Sequence, residues 1–248
     1  MGAFFRSAGR VLLLAILALL CLQLYFVLRI GLMRVLQPSS TAFQRAQLIS
    51  LAEQGQWTWN QETVSGSAIN DSLRRAVIAS EDANFATHGG VEWDAIRQAQ
   101  ERNERAQAKA EAKLKRNPDA SVKPAKIVGG STISQQLAKN LFLSGERSLA
   151  RKGQELLLTY MLEWILGKDR ILDIYLNNVE WGSGIFGAQA AAQYYFHTDA
   201  AKLSAAQSAR LAVMLPAPRR FEENPSSRYI QRRSRAIQGR MRGADLPE

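Results

Sequence analysis

AVIASEDANFATHGG, residues 76–90, and GGSTISQQLAKN, residues 129–140, are the two stretches whose reading decides the fold. Ala76–Ala79 has the composition of a helix start, and Gly89 and Gly90 that of a helix end. A helix continuous across that interval puts Glu81, Phe85 and His88 on one face, because their spacings are four and three. Glu81, beside a second carboxylate at Asp82 and near an aromatic ring and an imidazole, has the surroundings of a tuned general acid or base. The same residues also fit an exposed helix with a capping histidine.

In the second stretch two glycines lead through Ser131 or Thr132, residue types that cap helix starts, into a helix. Thr132, Gln136 and Lys139 then share one face, while Ile133, Leu137 and Leu141 make an apolar stripe. A polar face with one cation suits an anionic or sugar substrate, though a capped surface helix reads the same way. The GxxxxGK[ST] string of a phosphate loop is missing. Just downstream, SGERSLARKGQELLLTYMLEW, residues 144–164, supplies Arg147, Arg151, Lys152 and Glu155 ahead of an apolar run. Lys152 and Glu155 are three apart and can pair, as in any surface ion pair. Together, two acidic groups and several cations suggest chemistry on a sugar that carries phosphate.

Outward from these stretches the chain is 248 residues long, room for one substantial domain and an anchor. Val11–Ile30, VLLLAILALLCLQLYFVLRI, is interrupted only by Gln23 and Arg29 and matches the roughly 20 residues a helix needs to cross a bilayer. It reads as a transmembrane helix rather than a cleaved leader, since no A-x-A site precedes Arg29 and Arg34. Arg6 and Arg10 before it suggest a cytoplasmic amino terminus, although Arg29 and Arg34 after it weaken the asymmetry. The expected division is a cytoplasmic terminus at 1–10, an anchor at 11–30 and one catalytic domain at 40–248.

The formal charge of +10 favours contact with polyanions: nucleic acid, anionic lipid or a phosphorylated substrate. The single cysteine, Cys21, lies in the apolar leader, and with only His88 and His197 available no disulfide or Cys/His metal site is expected. Trp57 and Trp59 alternate like a short extended segment, and the rest reads as successive helices without sustained strand alternation or repeats. Residues 101–126, rich in Ala, Lys, Arg and Glu and broken by Pro118 and Pro124, read as a solvated helix or a charged mobile segment. This stretch and the basic one from Arg228 have almost no aromatics interleaved with their cations, so nucleic acid is not an expected partner.

Five ordered motifs carry a resemblance: EDANFATHGG, GGSTISQQLAKN, RKGQE, KDRILDIYLNNVEWGSGIFGAQAAAQYYF and LSAAQSARLAVMLPAP. Over roughly residues 60–225 the chain resembles the peptidoglycan glycosyltransferases, above all their monofunctional biosynthetic transglycosylases. Three positions depart from the family pattern: Ser134 for a usual Thr, Asp173 for a usual Glu, and Gln207 for an acidic residue.

The resemblance implies a mainly α fold, with one N-terminal transmembrane helix and a lysozyme-like helical domain with a small membrane-proximal lobe. It implies transfer from a lipid-linked glycan to the 4-hydroxyl of lipid II, with inversion and release of undecaprenyl pyrophosphate. Glu81 then maps onto the catalytic base and Glu155 onto the second carboxylate. Lys139 and Arg147 become candidates to stabilise the pyrophosphate, Lys152 an accompanying cation, and Asp82, Phe85, His88, Thr132, Gln136 and Asn140 residues that shape the cleft. No cofactor is required, with room left for a divalent cation bridging the pyrophosphate. The expected partners are lipid II, the growing glycan, membrane lipid and other cell wall synthesis or division proteins, at the bacterial plasma membrane with the domain outside. Neither an SxxK motif nor a KTG string occurs, so peptide cross-linking is not expected. The rivals are a glycan-cleaving lysozyme or lytic transglycosylase and a membrane-tethered polyanion binder.

Overall fold

The computed structural model describes residues 2–117, 129–143 and 148–247, with side chains from residue 8 onward. It is mainly helical, as expected. The first helix, α1 (Gly2–Leu32), contains an apolar run from Ala8 to Leu32. Those 25 residues are about 37 Å long at 1.5 Å per residue, more than the roughly 30 Å of a hydrocarbon core. The surplus is used for docking. Phe26, Ile30 and Met33 are buried, whereas residues 8–20 are exposed. Phe26 meets the edge of Phe142 at 5.3 Å, and Arg29 lies 5.6 Å above the same ring. Helix and domain are therefore joined by packing as well as by the chain.

After α2 (Ala42–Glu53), opened by a capping box between Thr41 and Gln44, a three-stranded sheet forms from very short strands. Its members are β1 (Asn60–Gln61), β2 (Glu180–Gly182) and β3 (Ile185–Phe186), in the order β1-β3-β2. The segment read as extended at Trp57 and Trp59 lies just before β1, and Trp59 packs on Phe186 of β3 at 4.7 Å. At Gly184, with φ +71°, a Cβ would stand 2.0 Å from the Thr58 carbonyl oxygen, so the turn between β2 and β3 closes only on glycine.

Two helical groups make the core. In one, α3 (Asp71–Glu81), α9 (Ala205–Met214) and α11 (Arg228–Met241) pack together; α11 buries Ile230, Ser234, Ile237 and Met241 at helical spacing and turns its arginines outward. In the other, α5 (Ile133–Phe142), α6 (Leu149–Leu166) and α7 (Lys168–Asn178) pack on one another, and α1 lies against α6. Helix α7 is buried throughout from Ile171 to Asn178. Its polar residues are paired accordingly, Asn177 bonding the Asp173 carboxylate at 2.9 Å and Asp173 meeting Arg170 and Gln37. Two shorter helices complete the set, α8 (Ala188–Phe196) and α10 (Pro218–Glu222).

One sequence expectation needs correction. The helix expected to run on to Gly89 ends at Glu81; residues 82–90 form turns, with Asp82 at φ −160°. The cause is long-range, because the Asp82 carboxylate accepts the Ile133 backbone N–H at the start of α5, at 3.0 Å. The charged stretch from 101 is helical as far as Arg116, within α4 (Trp93–Arg116), and carries i,i+4 pairs such as Arg105–Glu101. Its remainder, 118–126, lies outside the described residues.

Candidate active site

Glu81 occupies the last position of α3, where its half-buried side chain leaves the helix toward α5. Its Oε2 accepts a 3.1 Å hydrogen bond from the Gln136 amide. The buried Tyr175 hydroxyl donates to Gln136 Oε1 at 2.9 Å, which fixes the amide with its nitrogen toward Glu81. Burial raises the Glu81 pKa above its ordinary value, the Gln136 hydrogen bond offsets part of that rise, and the neighbouring Asp82 charge adds to it. A carboxylate so placed is a stronger base than an exposed one.

Asp82 is committed to structure. Besides the Ile133 N–H it faces His88 Nε2 at 2.9 and 3.0 Å. His88 Nδ1 accepts the Gly90 N–H at 3.0 Å, so the ring proton sits on Nε2 and is donated to Asp82. Gly90 itself, at φ +92°, leaves no room for a Cβ, which would fall 2.7 Å from Glu163 Cγ. Asp82 and His88 thus hold the end of α3 against the start of α5.

On the other side of Gln136 opens a cleft of about 430 Å³, lined by Gln136, Lys139 and Asn140 from α5 and by Arg151, Lys152 and Glu155 from α6. Glu155 is buried and takes Arg151 at 3.0 Å and Lys152 as ion-pair partners. Lys139 has no ion-pair or hydrogen-bond partner among the described residues. Its residue surface is open to the cleft, yet the crowding there desolvates its ammonium and lowers its pKa; Glu155 counters that, and Arg151 and Lys152 add to it. Three cations against one carboxylate leave the cleft with a net charge of about +2, a seat for a multiply charged anion. A smaller recess of about 120 Å³ lies beside Glu81 and shares Ser131 with this cleft. Size alone does not choose the site, since a 690 Å³ hollow between α3 and α11 contains none of these groups.

A family model described as Transglycosylase matches residues 49–242, which takes in both sides of this arrangement. The chain belongs to the transglycosylase family. It is 49% identical over 238 residues to a biosynthetic peptidoglycan transglycosylase of Herminiimonas arsenicoxydans, covering 95% of each chain. Relatives with the same name occur in Bordetella avium, 48% identical over 254 residues (99% of this chain, 97% of the relative), and in Burkholderia pseudomallei, 50% identical over 231 residues (93% and 84%).

Within this transglycosylase the residues expected at the site fall into three groups. Glu81, Gln136, Lys139, Asn140, Lys152 and Glu155 come together around the two recesses. Asp82 and Thr132 also line the smaller recess and, with His88, brace it from behind. Thr132 caps α5, accepting the Gln135 N–H at 3.1 Å and donating to the Gly90 carbonyl at 2.6 Å, and is buried. Phe85 is fully buried, with the Lys168 ammonium 4.5 Å above its ring, and lines neither recess. Arg147 lies outside the described residues. Sequence reasoning did not single out Tyr175, and it named Arg151 among the cations of residues 144–164 without giving it a role of its own. Tyr175 sits in the quoted KDRILDIYLNN motif, but its contact is with a residue 39 positions away, beyond any helical periodicity. Among the described residues no three His, Cys, Asp or Glu side chains converge as a metal site.

Proposed function

We propose that this transglycosylase polymerises lipid II into β-1,4 glycan strands, with Glu81 as general base and the α5–α6 cleft as the seat of the donor's pyrophosphate. The observation that carries the reading is the junction at Gln136, where a half-buried carboxylate with a raised pKa lies next to a net-positive cleft. Glu81 takes the proton of the acceptor 4-hydroxyl as its oxygen bonds to the donor's anomeric carbon. The bond from that carbon to phosphate breaks, its electron pair leaves with undecaprenyl pyrophosphate, and attack from the opposite face inverts the centre. Charge accumulates on the leaving group, so Lys139, Arg151 and Lys152 stabilise the transition state more than the ground state. Glu155 orients Arg151 and Lys152 and keeps the cleft from excess self-repulsion.

Placement follows the same physics. Leu149, Leu157, Tyr160 and Trp164 form an exposed stripe on one face of α6, with Leu149 92% and Trp164 85% exposed. Gln154, on the flank of that stripe, exchanges hydrogen bonds with Gln23 of the anchor at 3.2 and 3.3 Å. Such a stripe beside a membrane helix suits the lipid interface, where a lipid-borne substrate is presented. The amino terminus is cytoplasmic and the domain faces the exterior in this reading, with no peptide cross-linking. Glycan cleavage would not call for a cation cluster beside the carboxylate. The test is incubation of the detergent-solubilised chain with lipid II, then muramidase digestion of the product. Muramidase-sensitive polymer is expected; unconsumed lipid II would contradict the reading.

A further inference from the structure

On the far side of α3 from α5 the chain builds a second recess that shares no residue with the catalytic cleft. Phe221 of α10 and Tyr229 of α11 stack nearly parallel, with ring centroids 5.6 Å apart and planes inclined by 11°. Two hollows meet at this pair, of about 470 and 150 Å³, both bounded by Arg220, Phe221 and Tyr229. The larger adds Asn224 and Ser227; the smaller reaches Arg233 and Ser80, the residue before Glu81. Tyr229 is 41% exposed, so it presents ring surface to solvent. Arg233 lies one helical turn beyond Tyr229 on α11, and among the described residues neither Arg220 nor Arg233 has a hydrogen-bond or ion-pair partner.

Core packing does not account for this combination. An aromatic face offered to water binds the C–H face of a pyranose ring, and two unpaired guanidinium groups beside it select a carboxylate through forked hydrogen bonds. We infer that the Phe221–Tyr229 recess is a secondary glycan subsite, taking a sugar of the strand on Tyr229 and the carboxylate of its peptide substituent on Arg220 and Arg233. The inference rests on the glycan-polymerising reading above. Nucleic acid would also stack on Tyr229, but the 150 Å³ inner hollow admits a carboxylate on a thin tail and not a charged backbone. Its position behind Glu81 makes it a holding point for finished glycan, one that keeps the strand near the enzyme between additions.

The test uses the full chain in detergent and two soluble probes, the disaccharide-pentapeptide released from peptidoglycan by muramidase and the same disaccharide with its lactyl carboxyl amidated in place of the peptide. Binding is followed by saturation-transfer NMR in wild type, Tyr229→Ala and Arg233→Gln, alongside the initial rate of lipid II consumption and the product's chain length. Arg233→Gln, on the exposed side of α11, should weaken the peptide-bearing probe roughly tenfold and leave the peptide-free one unchanged. Tyr229→Ala should weaken both, and both variants should keep the wild-type initial rate while releasing shorter strands. Wild-type affinity for both probes in both variants, with lipid II still polymerised, would overturn the subsite alone. Displacement of the probes by an oligonucleotide of equal charge would also overturn it, by making the recess a general polyanion site. Failure of the wild type to polymerise lipid II would overturn the functional reading and this inference with it.

Discussion

The Glu81 carboxylate depends on a hydrogen-bond relay that begins at a buried phenol, Tyr175, and passes through the Gln136 amide. Tyr175→Phe removes the hydroxyl without opening a cavity and frees the amide to turn. A neutral hydrogen bond contributes about 0.5 to 1.5 kcal/mol, so turnover should fall roughly two- to tenfold with the fold retained. The pH profile separates this from a general packing defect. The Gln136 bond lowers a pKa that burial has raised, so loosening it raises that pKa further. With Glu81 as the proposed base, activity falls as pH drops through its pKa, so the acid limb of the variant should move to higher pH. An unshifted acid limb would remove Tyr175 from the relay.

Lys139 titrates in the opposite sense. Desolvation lowers its pKa, so its charge, and the leaving-group stabilisation proposed for it, should be lost as pH rises through a value below the ordinary lysine range. Lys139→Ala removes a charge-assisted contact of about 1.5 to 3 kcal/mol, and turnover with lipid II should drop roughly ten- to a hundredfold. The penalty should shrink on an analogue whose leaving group carries less charge. Equal penalties on both substrates would place Lys139 away from the pyrophosphate.

At the scale of elements, what was legible in the sequence was whatever is local. The capped start of α5 and its apolar stripe follow from GGSTISQQLAKN, and α1 from its composition. The end of α3 was not legible, because it is set by the Asp82 carboxylate reaching the start of α5, 51 positions away. Phe85 was misplaced for the same reason: the face it was expected to share with Glu81 does not exist beyond Glu81. Gln207, an apparent loss of charge in the last motif, has a local account. It is the third residue of α9 and closes a capping box with Ser204, its amide oxygen accepting the Ser204 N–H at 2.9 Å. Gln207→Glu should preserve this cap, whereas Gln207→Ala should cost up to about 1 kcal/mol. Thermal unfolding of the two variants checks this; equal midpoints would leave the acidic family residue unexplained by capping.

For the whole molecule, the anchor is part of the architecture. Its N-terminal length is exposed and apolar, while Phe26, Ile30 and Met33 dock on the domain, so in the proposed arrangement the cleft is held at a fixed height beside the bilayer. The charge of +10 fits such a position, with α11 presenting arginines outward and the cleft positive. A reporter fused after Glu248 should be active only when its activity depends on export. Activity of a cytoplasm-dependent reporter at that end would reverse the topology and separate the domain from its substrate.

The central claim is that Glu81 is the base of a glycan-forming reaction, and one substitution addresses it directly. Glu81→Gln keeps the size and the Gln136 contact but cannot accept the acceptor's proton, and general-base catalysis is worth about 10² to 10⁴ in rate. Polymerisation of lipid II by purified wild type and Glu81→Gln, read as muramidase-sensitive product, should show loss of that order in a variant whose circular dichroism and melting are unchanged. Glycan formed by Glu81→Gln at the wild-type rate would contradict the account.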